Sequence, residues 1–204
     1  MEERFFGLEP SPPLADFIRG CKARVFEAVG PQPYLADAPH LTLYVGGFGR
    51  EAELVRAVGR VVPAAPVGVD IRGWETFRND PVTGGHTVVL ELGPQGTERL
   101  RDLQGRVVAA ANPFRAPGIL PRYRDPTRYT HDMVESLAFY GFPFVGKIWR
   151  AHLTLASLAP AAHAAVAALL PDWPPPQAAS MVALSYNRIK ETGFVPLHAW
   201  NFGA

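Results

Sequence analysis

The chain has 204 residues, 48% of them hydrophobic, and a formal net charge of +1. That size and apolar content suit one large domain or two small lobes sharing an interface, and exclude extended disorder. The near-zero charge argues against a general nucleic-acid coat or a polybasic membrane binder, while leaving room for a local phosphate site.

A single cysteine, Cys21, excludes an internal disulfide. The opening "MEERFFGLEP" lacks an apolar run of signal-peptide length, and no stretch reaches the roughly 20 apolar residues of a membrane span. A cytoplasmic, monomeric protein is expected.

"RFFGL" from Arg4 reads as a strand. Ser11 followed by Pro12 marks a helix start, and Leu14, Phe17, Ile18, Cys21 and Val25 then recur at helical spacing as far as Gly30. "HLTLYVGGF" is a strand closed by Gly46 and Gly47. The segment from Arg50 to Val62 carries an apolar helical stripe through Leu54, Val55 and Val58. Strands are predicted from Val67 to Phe77 and from His86 to Leu92, with "NDPVTGG" as the turn of an antiparallel pair. A helix is predicted from Thr97 to Asn112, with Leu100, Leu103, Val107 and Val108 inward.

Residues 113–147 are rich in proline and arginine and read as a long ordered loop with a short helix from Met133 to Tyr140; such loops are commonly lids or binding loops. Arg115, Arg122, Arg124 and Arg128 are either an anion-collecting lid or solvated partners of Asp125 and Asp132. A strand through "IWRAHLTLASL", a helix from Pro160 to Leu170 and strands from Ser180 to Ile189 and from Phe194 to Phe202 complete the chain.

The tetrapeptide His-Leu-Thr-Leu occurs twice, at residues 40–43 and 152–155, whereas composition alone predicts fewer than one His-x-Ser/Thr pair. Both copies fall in strands at equivalent places of a repeated element order. An α+β fold follows, with two pseudo-symmetric lobes of antiparallel sheet, helices outside, and a central cleft. The lobes divide the single 1–204 unit roughly into 1–84 and 85–204.

Alternation along a strand puts His40 with Thr42, and His152 with Thr154, on one face. Two imidazoles in one cleft, one neutral and one protonated near neutrality, suit a general base and a general acid on opposite sides of a phosphorus. The threonine hydroxyls suit the non-bridging oxygens. Tyr44 and Arg150 share the phase of their histidines and are further substrate-binding candidates. Phe6 and Trp74 read as core aromatics. His86, His131, His163 and His198 lack repeat partners and metal-ligand spacing, so no metal site is expected.

"PHLTLYVGGF" and "AHLTLA" resemble the paired signature of the two-histidine (2H) phosphoesterase superfamily, and within it the LigT-like RNA 2′,3′-cyclic phosphodiesterases, also called 2′–5′ RNA ligases. The resemblance implies that His40 and His152 are catalytic, that Thr42 and Thr154 bind phosphate, and that no cofactor is needed. The substrate is then a small phosphorylated ligand or an RNA terminus bearing a 2′,3′-cyclic phosphate. His152 is assigned as base and His40 as acid, an order that pseudo-symmetry leaves open. The second motif has Ala151 where proline is common, and Ala156 where some members place a basic residue. "FYGFPFVGKIWRAHLTLA" is similar to the run before the second motif in a phosphonate-metabolism branch. Alternatives are therefore a same-fold enzyme acting on a small sugar phosphodiester or in phosphonate metabolism, and a non-catalytic nucleotide or RNA-end binder.

Overall fold

In the computed structural model, which describes residues 2–203, a long antiparallel sheet is assembled from strands of both sequence halves. The strands are β1 (Arg4–Pro10), β2 (Leu41–Gly46), β3 (Val67–Phe77), β4 (His86–Leu92), β5 (His152–Leu158), β6 (Ala178–Ile189) and β7 (Phe194–Asn201). The helices are α1 (Pro12–Val29), α2 (Glu51–Gly59), α3 (Pro94–Ala111), α4 (His131–Tyr140) and α5 (Pro160–Leu169). The hydrogen-bonded order is β2-β1-β6-β3-β4-β5, with β7 also on β6.

The two long strands β3 and β6 join the lobes. Residues 67–70 of β3 pair with residues 178–181 of β6, and each strand then diverges, β3 onto β4 and β6 onto β1 and β7. The halves of the sequence thus exchange strands: late β6 and β7 complete the sheet of β1 and β2, and early β3 completes that of β4 and β5. Helices are exchanged too. α1 packs on β5 and α5, and α3 packs on β2 and α2. Cys21 and Val25 of α1 accordingly join Leu155, Leu158 and Val166 in one apolar cluster, where burial pushes the Cys21 thiol up to about 11.

Helix α3 begins three residues before the predicted Thr97. Pro94 sits in its first turn, and the Asp70 carboxylate of β3 accepts the Gly96 N–H at 2.7 Å, a cap supplied from a distant strand and invisible to local pattern. The segment 113–147 is a chain of short 3-10 turns followed by α4, whose cap Thr130 accepts the Met133 N–H.

Each His-Leu-Thr-Leu strand carries a bulge directly after its threonine. Thr42 stands opposite Gly7 while Tyr44 stands opposite Phe6, so Leu43 is one residue too many. In the same way Thr154 stands opposite Val89 and Ala156 opposite Val88, which makes Leu155 the extra residue. The bulge reverses the alternation. Before the bulge the histidine and the threonine share the cleft face, whereas the residue that would continue their phase, Tyr44 or Ala156, is turned into the core.

A bulge leaves backbone groups without ladder partners, and these are buried. Around Leu43 they are satisfied by side chains from the second half. The Trp149 indole N–H donates to the Thr42 carbonyl at 3.0 Å, and the Gln104 amide donates to the Leu43 carbonyl at 3.0 Å. Gln104 is fully buried. It also donates to the Phe144 carbonyl at 2.8 Å and accepts the Gly146 N–H at 3.0 Å. One amide therefore ties the bulge of β2 to the segment leading into β5.

Gln104→Leu, which orphans three backbone groups, is expected to destabilise the fold by roughly 3 kcal/mol, and Trp149→Phe by about 1–3 kcal/mol. Urea unfolding checks both. Losses within about 0.5 kcal/mol, typical of an inconsequential surface change, would contradict this account.

Candidate active site

The two motif strands β2 and β5 lie against each other at the seam between the lobes. His40 immediately precedes β2 and His152 opens β5, each after a buried small or rigid residue, Pro39 and Ala151. Leu41, Leu43, Leu153 and Leu155 are fully or almost fully buried, whereas His40, Thr42, His152 and Thr154 are all half-buried. The apolar members of the repeat anchor the strands, and the polar members stay open to the cleft.

Both imidazoles are held in the same way. His40 Nδ1 lies 2.9 Å from the Ala38 carbonyl, and His152 Nδ1 lies 2.8 Å from the Arg150 carbonyl. A carbonyl only accepts, so Nδ1 carries the hydrogen in each ring, and Nε2 is the nitrogen left for chemistry. Aromatic rings fix the planes. His40 sits 4.9 Å from both Phe5 and Phe194, and His152 meets the edge of Phe77 at 4.9 Å. The Phe5 ring reaches His40 by lying across Gly7, where a Cβ would stand only 2.9 Å from Phe5 Cε2.

The charges around the two rings differ. His40 is pushed down to about 4, chiefly by burial and also by the positive charges of Lys22 and His152, against a rise from the Ala38 hydrogen bond. Burial also lowers His152. There the Arg150 guanidinium adds to the fall, while the Arg150 carbonyl bond and the carboxylates of Asp80 and Glu91 oppose it. The two imidazoles are near enough for the charge of one to depress the other. Burial thus shifts both rings toward the neutral form, and only His152 has carboxylates, those of Asp80 and Glu91, working against that shift.

Tyr44 does not line the cleft. The bulge at Leu43 turns it into the core, where it is fully buried and its hydroxyl lies 2.8 Å from both Asn112 Oδ1 and the Tyr140 carbonyl, which share its one hydrogen. Arg150 does lie beside His152, but its guanidinium is committed to Glu91, with Nε at 3.0 Å, and stacks 4.4 Å over Phe77. Its backbone carbonyl, rather than its charge, touches the histidine. Three of the four arginines of the long loop are held by groups of the protein itself. Arg115 donates to Asn112 and the Gly118 carbonyl, Arg124 to the Ile119 carbonyl, and Arg122 pairs with Glu3. Phe6 is fully buried, and Trp74 donates its indole N–H to the Trp173 carbonyl.

Lys22 is a residue that pattern reading passes over. It is only 6% exposed and donates to the carbonyls of Tyr34 and Asp37 at 2.6 and 2.7 Å, bracing the loop that delivers His40. Burial lowers its ammonium to about 8. The available signal is its place in the α1 stripe, four residues after Ile18 and three before Val25. Among the described residues, no group of three or more His, Cys, Asp or Glu side chains is arranged to hold a metal, and no helix is long and apolar enough to cross a membrane.

The whole chain aligns with solved structures of the same fold. Escherichia coli LigT complexed with ATP is 16% identical with a TM-score of 0.55, covering 100% of this chain and 98% of LigT. TT0787 of Thermus thermophilus is 17% identical with a TM-score of 0.57, covering 99% of this chain and 98% of TT0787. No curated protein sequence matches significantly. The family model of the 2′-5′ RNA ligase superfamily matches residues 10–185, a span that begins at the end of β1 and contains both histidine motifs. With that match and a shared fold over its full length, the chain belongs to the 2′-5′ RNA ligase superfamily, a branch of the two-histidine phosphoesterases.

Proposed function

We propose that this protein hydrolyses a 2′,3′-cyclic phosphate on a nucleotide or RNA terminus by two-histidine acid–base catalysis without a metal. Membership of the superfamily supports phosphodiester chemistry in general. The observation that carries the finer reading is the twin presentation of Nε2 on His40 and His152, each ring locked through Nδ1 to a carbonyl two residues before it. The fold relative LigT has been crystallised with ATP, with 3′-AMP and with phosphate, which favours a phosphorylated ligand for this cleft as well. The small net charge favours a short substrate over one tracked along many phosphates.

The asymmetry of charge supports an order of roles opposite to the one assigned from sequence. His152 has the Arg150 guanidinium beside it, but Asp80 and Glu91 oppose its fall and favour it for the proton; His40 has no carboxylate among its neighbours and is pushed down to about 4, which suits a base. In the reaction, His40 Nε2 takes a proton from water as the water oxygen bonds to phosphorus. The bond from phosphorus to one ribose oxygen breaks, and His152 Nε2 gives that oxygen its proton, leaving a monoester beside a free hydroxyl. Thr42 and Thr154 donate to the non-bridging oxygens as their charge develops. An anionic ester bound between the rings raises both imidazoles, which favours the protonated form that His152 needs as an acid.

His40→Ala and His152→Ala are each expected to lower kcat on a nucleoside 2′,3′-cyclic phosphate by about 10²–10⁴-fold, followed by phosphorus NMR. Parental turnover in both variants would reject the assignment. For the free enzyme, kcat/KM should fall on the acid side near pH 4, where His40 protonates and ceases to be a base. On the alkaline side it should fall below the ordinary histidine value of 6.5, where His152 loses the proton it must donate. A plateau extending to pH 8 contradicts that scheme. Treatment with EDTA should leave the rate unchanged; a loss restored by zinc or manganese would place a metal in the mechanism.

A further inference from the structure

We propose that a second phosphate-binding site lies beside His152, in a cavity of about 530 Å³ at the corner between β4, α3 and the start of β5. Its polar lining comprises Asp70, Arg72, Glu91, Thr97, Arg101 and Arg150, and neither imidazole takes part. The inference rests on the hydrolase reading of the histidine cleft and extends it to substrates that carry a second phosphate.

Charge in this cavity is unbalanced in favour of an anion. Both carboxylates are engaged by protein groups. Asp70 Oδ1 accepts the Gly96 N–H at 2.7 Å, and Gly93 leaves the space that Asp70 Oδ2 fills, where any Cβ would collide with it. Glu91 accepts from Arg72 Nη1 at 3.1 Å and from Arg150 Nε at 3.0 Å. Arg101 is left over. Among the described residues it makes no ion pair or hydrogen bond, and its Nε is buried without a partner. Leaving a buried N–H of a permanent cation unsatisfied is costly, so this guanidinium keeps its donor capacity unspent, and its terminal Nη groups suit a phosphate in the cavity that Arg101 lines.

Position links the cavity to the reaction. Glu91 is the cross-strand partner of His152, and the backbone of Arg150 holds the His152 ring, so the cavity opens one residue away from the proton donor. A phosphate elsewhere on the sugar that bears the cyclic ester, such as a 5′-phosphate, is the chemistry that matches an unpaired arginine here. Inorganic phosphate offers the same chemistry from solution, so the test has one arm for each source.

The first arm compares kcat/KM for a nucleoside 2′,3′-cyclic phosphate bearing a 5′-hydroxyl with the same ester bearing a 5′-phosphate. The phosphorylated ester should be favoured roughly tenfold, through KM, as expected for a charge-assisted contact. Arg101→Ala should bring the ratio close to one, and Arg101→Lys should restore part of it. A ratio near one in the parent protein, or one unchanged by Arg101→Ala, overturns the proposal. Should Arg101→Ala prove unfolded by circular dichroism, Arg101→Gln takes its place. The second arm counts inorganic phosphate sites by calorimetry, with two expected in the parent protein and one in the Arg101 variant; a single site in both overturns the proposal whatever the kinetics. If neither ester is turned over, the hydrolase reading fails, and the calorimetric count alone decides the anion site.

Discussion

Two backbone carbonyls, those of Thr42 and Leu43, set the geometry of this molecule. They lie at the bulge that ends the first motif, and they are claimed by Trp149 and Gln104, side chains from the other half of the chain. Because an unpaired buried carbonyl is expensive, β2 can only settle where both donors reach it. That place is against the segment leading to β5, so the same bonds that repair the bulge bring the two motifs to one seam. Exchange of helices and strands between the halves reinforces the result: neither lobe completes its sheet or its helical cover from its own sequence half.

In the proposed reaction, near-symmetry of fold and asymmetry of charge divide the labour. The bulges, the threonines and the locks from Nδ1 to a carbonyl are duplicated almost residue for residue. What differs is the surroundings: Lys22 stands near His40 with no carboxylate, whereas His152 has the Arg150 guanidinium together with the carboxylates of Asp80 and Glu91. The proposed acid and base need such a difference, since two identical imidazoles would compete for one proton on equal terms.

Much of this is legible in the residues. The repeated tetrapeptide locates both imidazoles and both hydroxyls, because period-two alternation is robust over three residues. The strands Val67–Phe77 and His86–Leu92 can be bounded from pattern alone, since a turn-forming run separates two alternating segments. Alternation fails at Tyr44 for a definite reason. A bulge inserts one residue without leaving a mark in the apolar pattern, since Leu43 is as apolar as a regular strand residue would be. The charge state of the histidines is not legible, because burial depends on what the far half of the chain brings to the cleft. Lys22, Gln104 and Asp70 are unreadable on the same grounds: each acts on backbone 12 to 61 residues distant in sequence.

The central claim is that two imidazoles address one phosphorus, and long-range proton–nitrogen NMR of the histidine rings during titration with inorganic phosphate tests it most directly. The account predicts that His40 and His152 both carry their hydrogen on Nδ1 in the free protein, and that both Nε2 resonances move along a single binding curve as phosphate enters. Nε2 resonances that follow different curves, or a ring that ignores the ligand, would contradict it.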